Sequence, residues 1–319
     1  MKTLILLLIF TLSVFANVTL DDYRKNGIDF IQKQLDFKLT DFGYWDDYLD
    51  DKDLSFGYIQ YYNFILTCDK ESSKLVLYKK NKDEKFQLNK DYNAFTGKIK
   101  GDKIKEGDLK TPLGIYNLTK RIVKLDAFYG PLAFVTSYPN IYDKYKGKNG
   151  SGIWIHGLPT NQKRDKYTKG CIAIDNDNIK GLNKKINIEK TLLIINPDKN
   201  LIEVNKENIA IILSELYSWR YAWIYNNTDK YLNFYSDDFV KSNGMKINSF
   251  KRYKKRIFAK NEKKTIVFQN LNIIPYPNTI DTYQITFKEL YKSNSLKFIG
   301  EKILIVKLTN NKMKIFTEN

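Results

Sequence analysis

Ile155-His156-Gly157-Leu158-Pro159, followed by Thr168-Lys169-Gly170-Cys171-Ile172-Ala173-Ile174, is the stretch on which the reading of this chain turns. His156 is the only histidine among 319 residues, and Cys171 is one of two cysteines. Each sits beside a glycine and next to a short apolar run that reads as a strand. Cysteine attacks as its thiolate, and an adjacent imidazole lowers its pKa. Gly170 lets the backbone come close to a substrate, and the N–H groups around Gly170 and Cys171 are candidates for an oxyanion hole. The second imidazole nitrogen needs an acceptor, for which the Gly157 backbone carbonyl serves as well as a carboxylate. From spacing alone, a core histidine and a structural cysteine are an equal reading. One histidine and two widely spaced cysteines make a poor zinc set. Cys–His acyl chemistry calls for no metal or organic cofactor.

Working outward, short strands are expected at residues 64–67, 74–79, 133–137, 153–155, 172–174 and 192–195, separated by glycine- and proline-marked turns. Thr111-Pro112-Leu113-Gly114-Ile115-Tyr116 reads as a turn entering a strand. Together these describe a mainly β domain over residues 58–200. Before it, residues 20–39 carry Tyr23, Ile28, Ile31 and Leu35 at helical spacing, with Asp21 and Asp22 as cap candidates. The acidic, aromatic segment 41–53, with Tyr44 and Trp45, reads as an irregular cap or a dimer contact. After residue 200, Ile209, Ile212, Leu213, Leu216, Tyr217, Trp223 and Ile224 keep a helical period, and alternating strands follow to the end. Helices followed by an antiparallel sheet make residues 201–319 an α+β domain. Cys68, inside a strand-like run, reads as a small buried residue rather than a disulfide partner of Cys171.

Residues 1–16, MKTLILLLIFTLSVFA, have the positive start, apolar core and small-residue end of a secretory signal, cleaved near Ala16. An uncleaved anchor is the alternative. No later stretch is apolar enough to span a bilayer, so the exported chain is expected in the periplasm without stable membrane insertion. The net charge of +17 attracts polyanions. Nucleic acid is excluded by the expected export and by the lack of a nucleic-acid motif, which leaves an acidic wall polymer or peptide.

The His156-Gly157-Leu158-Pro159 box and the Thr168-Lys169-Gly170-Cys171-Ile172 box resemble the L,D-transpeptidase catalytic (YkuD) domain. The upstream Thr111-Pro112-Leu113-Gly114-Ile115-Tyr116 matches that family's Thr-Pro-x-Gly-x-aromatic box. The resemblance implies a β-sandwich-type catalytic domain, a Cys171 nucleophile, a His156 base and peptidoglycan stem peptides as substrate. Lys120, Arg121, Arg164 and Lys169, with Thr168 beside them, are the candidate substrate-binding residues; solvated loop charge is the plain alternative for each of the cations. Two departures matter. The family commonly has His where Lys169 stands, and transpeptidases usually have Arg where Ala173 stands. The whole order is similar to the cell-shape-determining L,D-carboxypeptidases of helical and curved bacteria. Those join an N-terminal dimerisation region (here residues 17–57) to this catalytic domain and a cone-shaped, nuclear-transport-factor-2-like domain. The resemblance therefore implies removal of the terminal D-Ala from tetrapeptide stems, in a chain that forms a homodimer. The competing readings are an L,D-transpeptidase making 3-3 cross-links and a non-catalytic wall-binding protein.

Overall fold

A computed structural model describes residues 19–160, 165–198 and 203–319. The expected signal segment and Arg164 lie outside the described residues.

Eight strands close on themselves in the middle of the chain: β2 (Phe64–Asp69), β3 (Lys74–Lys80), β4 (Phe86–Phe95), β5 (Gly114–Ile122), β6 (Ala133–Thr136), β7 (Trp154–His156), β8 (Ile172–Ile174) and β9 (Thr191–Asn196). Their spatial order is β2-β3-β4-β8-β7-β6-β5-β9. The two sheets of the expected sandwich share β4 and β5, so its edges are joined and no strand edge is left open. Two neighbouring pairs run parallel, β2 with β9 and β7 with β8. Inward-facing Leu66, Cys68, Leu77, Phe134, Ile155, Ile172 and Leu193 fill the interior. Helix α4 (Asn176–Lys185) leaves β8 directly and seals one side with Ile179 and Leu182, both fully buried.

The last third folds as expected into helices on an antiparallel sheet. Helices α5 (Lys206–Ile224), α6 (Thr228–Asn233) and α7 (Ile247–Phe258) cover strands β10 (Thr265–Pro275), β11 (Thr282–Lys292), β12 (Lys297–Thr309) and β13 (Lys312–Glu318). Helix α5 is apolar on most of its circumference and is correspondingly buried, with Trp219 at its centre. The fifth strand comes from elsewhere: β1 (Tyr58–Ile59) pairs antiparallel with β10, Tyr58 opposite Ile273. Tyr58 and Ile59, expected to open the catalytic domain, thus belong to the C-terminal sheet.

The N-terminal segment departs most from expectation. Residues 42–48, read as an irregular cap or dimer contact, form helix α2 (Phe42–Tyr48). Trp45 is buried and stacks on Tyr217 of α5, with ring centroids 5.0 Å apart. Its ring is covered within the chain by Tyr217. Helix α1 (Leu20–Lys38) forms as expected but kinks at Gly27, where φ is +75°. Near its C-terminal end, Asp36 accepts from Arg220 Nη2 at 3.0 Å and from the Tyr225 hydroxyl at 3.0 Å, and Phe37 meets Tyr221 edge-on at 5.9 Å. Tyr23, Ile28 and Leu35 face outward.

A third apolar cluster joins the two domains. Phe56, Ile59, Ile65, Ile115, Leu192, Ile194, Ile274, Tyr276 and Ile305 pack together, drawn from both the barrel and the C-terminal sheet. Burying a side chain of this size contributes about 1.5–3 kcal/mol, so a seam of this extent holds the domains as one unit.

Candidate active site

The parallel pair β7–β8 brings the two boxes together. His156 ends β7 and lies opposite Ala173; Ile155 lies opposite Ile172. Cys171 therefore enters β8 two residues before the partner of His156. His156 is almost fully buried, whereas Cys171 is partly exposed. The His156 Nδ1 lies 2.6 Å from the Gly157 carbonyl oxygen. With its proton on Nδ1, the ring donates to that carbonyl and leaves Nε2 with a lone pair for proton transfer. The Tyr129 ring meets the imidazole edge-on at 5.1 Å and limits its rotation. The Cys171 thiol points toward the Gly152 carbonyl, 3.4 Å away.

The turn carrying the nucleophile is braced from three sides. Thr168 is buried; its hydroxyl accepts from Gly170 N at 3.0 Å and donates to the Cys171 carbonyl at 2.6 Å. Thr168 N donates to Thr96 O, and Lys98 N donates to Thr168 O, tying the turn to the end of β4. Gly170 has φ +134°, and a Cβ there would approach Lys110 O to 2.8 Å. The Thr-Pro-x-Gly box supplies the next layer. Thr111 Oγ1 accepts from Gly97 N at 2.8 Å, and the Lys70 ammonium donates to the carbonyls of Thr111 and Gly101. Burial pulls Lys70 down to about 8.

The Gly170 N–H is bonded to the Thr168 hydroxyl within the turn, and its glycine is required by the close approach to Lys110 O. The Thr168 hydroxyl holds the turn through its bonds to Gly170 N and Cys171 O. Lys169 is exposed two residues before the nucleophile. Lys120 is exposed on β5, and Arg121 reaches across to Asn183 of α4, with Nη1 3.2 Å from its side-chain oxygen. Ala173 is fully buried and pairs with Phe95 of β4 on one side and His156 of β7 on the other, while its neighbours Ile172 and Ile174 fill the barrel core. Cys68 is sealed in the core, and burial pushes its thiol up to about 12. Both cysteines are free thiols.

Spacing did not reveal two further groups. Asn176, at the start of α4, accepts from Leu158 N at 2.8 Å. Its position between a strand end and a helix start is the only sequence signal it carries. In the C-terminal domain, buried Glu318 is 2.9 Å from Lys302 and accepts from the Tyr235 hydroxyl at 3.0 Å, within electrostatic reach of Lys254 and Glu289. A separate cleft of about 580 Å³ opens among Asp229, Tyr235, Asp238, Lys251, Lys255 and Lys314, residues with no part in the Cys–His site. Among the described residues, no helix is long and apolar enough to cross a membrane.

Residues 63–195 match the L,D-transpeptidase catalytic domain, and residues 211–319 match the Cds6 C-terminal NTF2-like domain. The chain is similar to the crystal structure of the helical cell shape determining protein Pgp2 from Campylobacter jejuni. Identity is 36% and the TM-score 0.80, covering 88% of this chain and 99% of that one. Bd1075 of Bdellovibrio bacteriovorus follows at 30% identity and TM-score 0.65, covering 81% and 92%. YafK of Escherichia coli (strain K12), an L,D-transpeptidase by name, is 34% identical over 112 residues, which is 34% of this chain and 42% of that protein. The chain thus spans less than half the length of this curated relative.

Proposed function

The chain belongs to the L,D-transpeptidase catalytic-domain family, with a C-terminal nuclear-transport-factor-2-like domain, and from that premise we propose that it is a peptidoglycan L,D-carboxypeptidase. It removes the terminal D-Ala from tetrapeptide stems in the periplasm and so influences cell shape, the property by which Pgp2 is named. The observation that carries the reading is the His156–Gly157 pairing on the strand next to the one that Cys171 enters.

The chemistry runs in two steps. The Cys171 thiolate attacks the carbonyl of the third stem residue, and the amide bond to D-Ala breaks as protonated His156 gives its proton to the leaving amine. Water then attacks the thioester, with His156 Nε2 taking its proton, and the thiolate departs. A general base of this kind contributes roughly 10²–10⁴-fold in rate. Exposed Lys169, with Lys120 and Arg121, is assigned to the stem carboxylates, and residues 1–16 to export. The outward apolar face of α1 suits the homodimer, which light scattering of the full mature chain tests.

Transpeptidation is the second reading, because the thioester is common to both reactions and only the acceptor differs. Burial of Ala173 favours water: no cation stands there to hold a second stem. Purified mature protein is incubated with disaccharide tetrapeptides, and the products are weighed by mass spectrometry. Loss of one alanine supports the carboxypeptidase, and cross-linked dimers support the transpeptidase. Unchanged turnover by Cys171→Ala would sink both.

A further inference from the structure

We propose that Asn176 is a positioning residue for the base, holding the carbonyl that orients His156 through the opposite edge of the same peptide group. This inference rests on the Cys–His reading above. The Gly157 carbonyl and the Leu158 N–H belong to one planar peptide unit. On one edge of that plane, the carbonyl faces His156 Nδ1 at 2.6 Å. On the other edge, the N–H donates to Asn176 Oδ1 at 2.8 Å. The plane is therefore pinned from both sides and cannot rotate without breaking a hydrogen bond. The Asn176 bond also polarises the peptide, because hydrogen bonds in a chain strengthen one another, and this makes the carbonyl a better acceptor for the imidazole N–H. An isolated backbone carbonyl is a weaker partner for an imidazolium than a carboxylate; the amide behind it compensates in part.

The packing around the amide is built to admit it. A Cβ on Gly157 would collide with Asn176 Oδ1, and a Cβ on Gly130 would come within 2.6 Å of it. Both glycines thus leave room for the side chain, which gives the glycine of the His-Gly box a steric reason. The placement along the chain matters as well. Cys171, strand β8 and Asn176 form one continuous stretch, with Asn176 the first residue of α4. Nucleophile and brace are carried by the same six residues, so the orientation of the base is fixed relative to the strand that bears the thiol.

The test uses the full mature chain with Asn176→Ala, Asn176→Asp and His156→Ala. Cys171 alkylation by iodoacetamide is followed against pH, and turnover of disaccharide tetrapeptide is measured alongside. In wild type, the alkylation profile is set by the Cys–His pair. In Asn176→Ala it is expected to shift toward that of His156→Ala, with kcat falling about 10- to 100-fold and KM changing less than about twofold, as expected for a misplaced catalytic group. Asn176→Asp keeps the acceptor and is expected to restore kcat to within about threefold of wild type. Asn176→Ser, too short to reach Leu158 N, serves if the alanine variant does not fold. A wild-type alkylation profile and kcat in the folded alanine or serine variant would overturn the proposal. So would an aspartate variant as impaired as alanine. Alkylation needs no peptide substrate, so a wild type inert on tetrapeptide refutes the carboxypeptidase reading while the alkylation profiles still judge Asn176.

Discussion

The Tyr276 hydroxyl lies 2.9 Å from Asn140 Nδ2, so a side chain from the C-terminal sheet bonds directly to the catalytic domain. Asn140 in turn donates to Ile115 O and caps helix α3 (Ile141–Tyr145), whose Asp143 accepts from Tyr116 and Lys148. Lys148 also reaches Asp102 at 2.6 Å, and Asp102 holds Leu113 N of the Thr-Pro-x-Gly box. The interdomain seam and the catalytic scaffold therefore share one buried polar network. Tyr276→Phe is expected to cost about 0.5–1.5 kcal/mol, the net worth of a hydrogen bond, read by urea unfolding. A change in the unfolding slope in place of the midpoint would count against this.

Gly114 is the counterpart of that contact. Its φ is +151°, and a Cβ there would lie 2.5 Å from the Tyr276 hydroxyl and 2.7 Å from that of Tyr116. Gly114→Ala is expected to destabilise by about 1–3 kcal/mol through backbone strain and this clash. Adding Tyr276→Phe relieves only part of the loss, since the Tyr116 oxygen remains. A double variant whose loss equals the sum of the two single losses would show that Gly114 and Tyr276 are energetically independent.

The two cysteines should differ sharply in reactivity. Cys68 is fully buried with its thiol pushed up to about 12, whereas Cys171 is partly exposed. Native protein at neutral pH is expected to take up one equivalent of iodoacetamide, and urea-unfolded protein two, counted by intact-mass spectrometry. Cys171→Ala is expected to abolish the native modification. Labelling of Cys68 at a comparable rate in the folded protein would contradict the sealed core described above.

Most strands, the long helix after residue 200 and the Cys–His pair were legible in the sequence because each is a local pattern. Alternating or continuous apolar runs mark Phe64–Asp69 and Thr191–Asn196, and scarcity marks His156 and Cys171. What escaped is non-local. A two-residue strand such as Tyr58–Ile59 has no period, and its partner lies more than 200 residues away. Trp45 announces burial but not which surface buries it; here the answer is Tyr217. Asn176 looks like any polar residue at a helix start until the fold sets it beside Leu158. The hydrogen bonds that Gly170 N and the Thr168 hydroxyl make inside the turn were not legible for the same reason.

Trp45 supplies a direct check on that point. Its indole N–H donates to Leu39 O at 2.7 Å, and its ring fills the gap between α2 and α5. Trp45→Ala is expected to cost about 3–5 kcal/mol, the usual range for removing a buried tryptophan. The oligomeric state should be unchanged, because the ring is covered within the chain. A stable but dissociated variant in light scattering would return Trp45 to a dimer interface.

The charge cluster of the C-terminal domain makes stability depend on pH in a defined direction. Burial alone would raise Glu318, but Lys302, Lys254 and the Lys302 hydrogen bond outweigh it and hold the carboxyl below its usual value. That contribution is present above the unfolded carboxyl range and is lost as pH falls through the folded value. Lys254 is also held below its ordinary value, so it acts in the same direction in a higher pH window. Its ammonium lies over the Trp223, Tyr231 and Phe250 rings at 4.9, 5.2 and 5.3 Å, and burial pulls it down to about 8. Between about 8 and the ordinary lysine value near 10.4, the unfolded chain binds more protons than the folded one, so folding stability rises with pH across this window. Urea unfolding at pH 7 and pH 9.5 is expected to show wild type gaining stability relative to Lys254→Met. Lys302→Met is expected to cost about 1–3 kcal/mol at pH 7 by stranding Glu318, and Lys302→Met with Glu318→Gln to recover most of it. A Lys302→Met loss that persists undiminished in the double variant would show that the lysine acts through packing and not through the carboxylate.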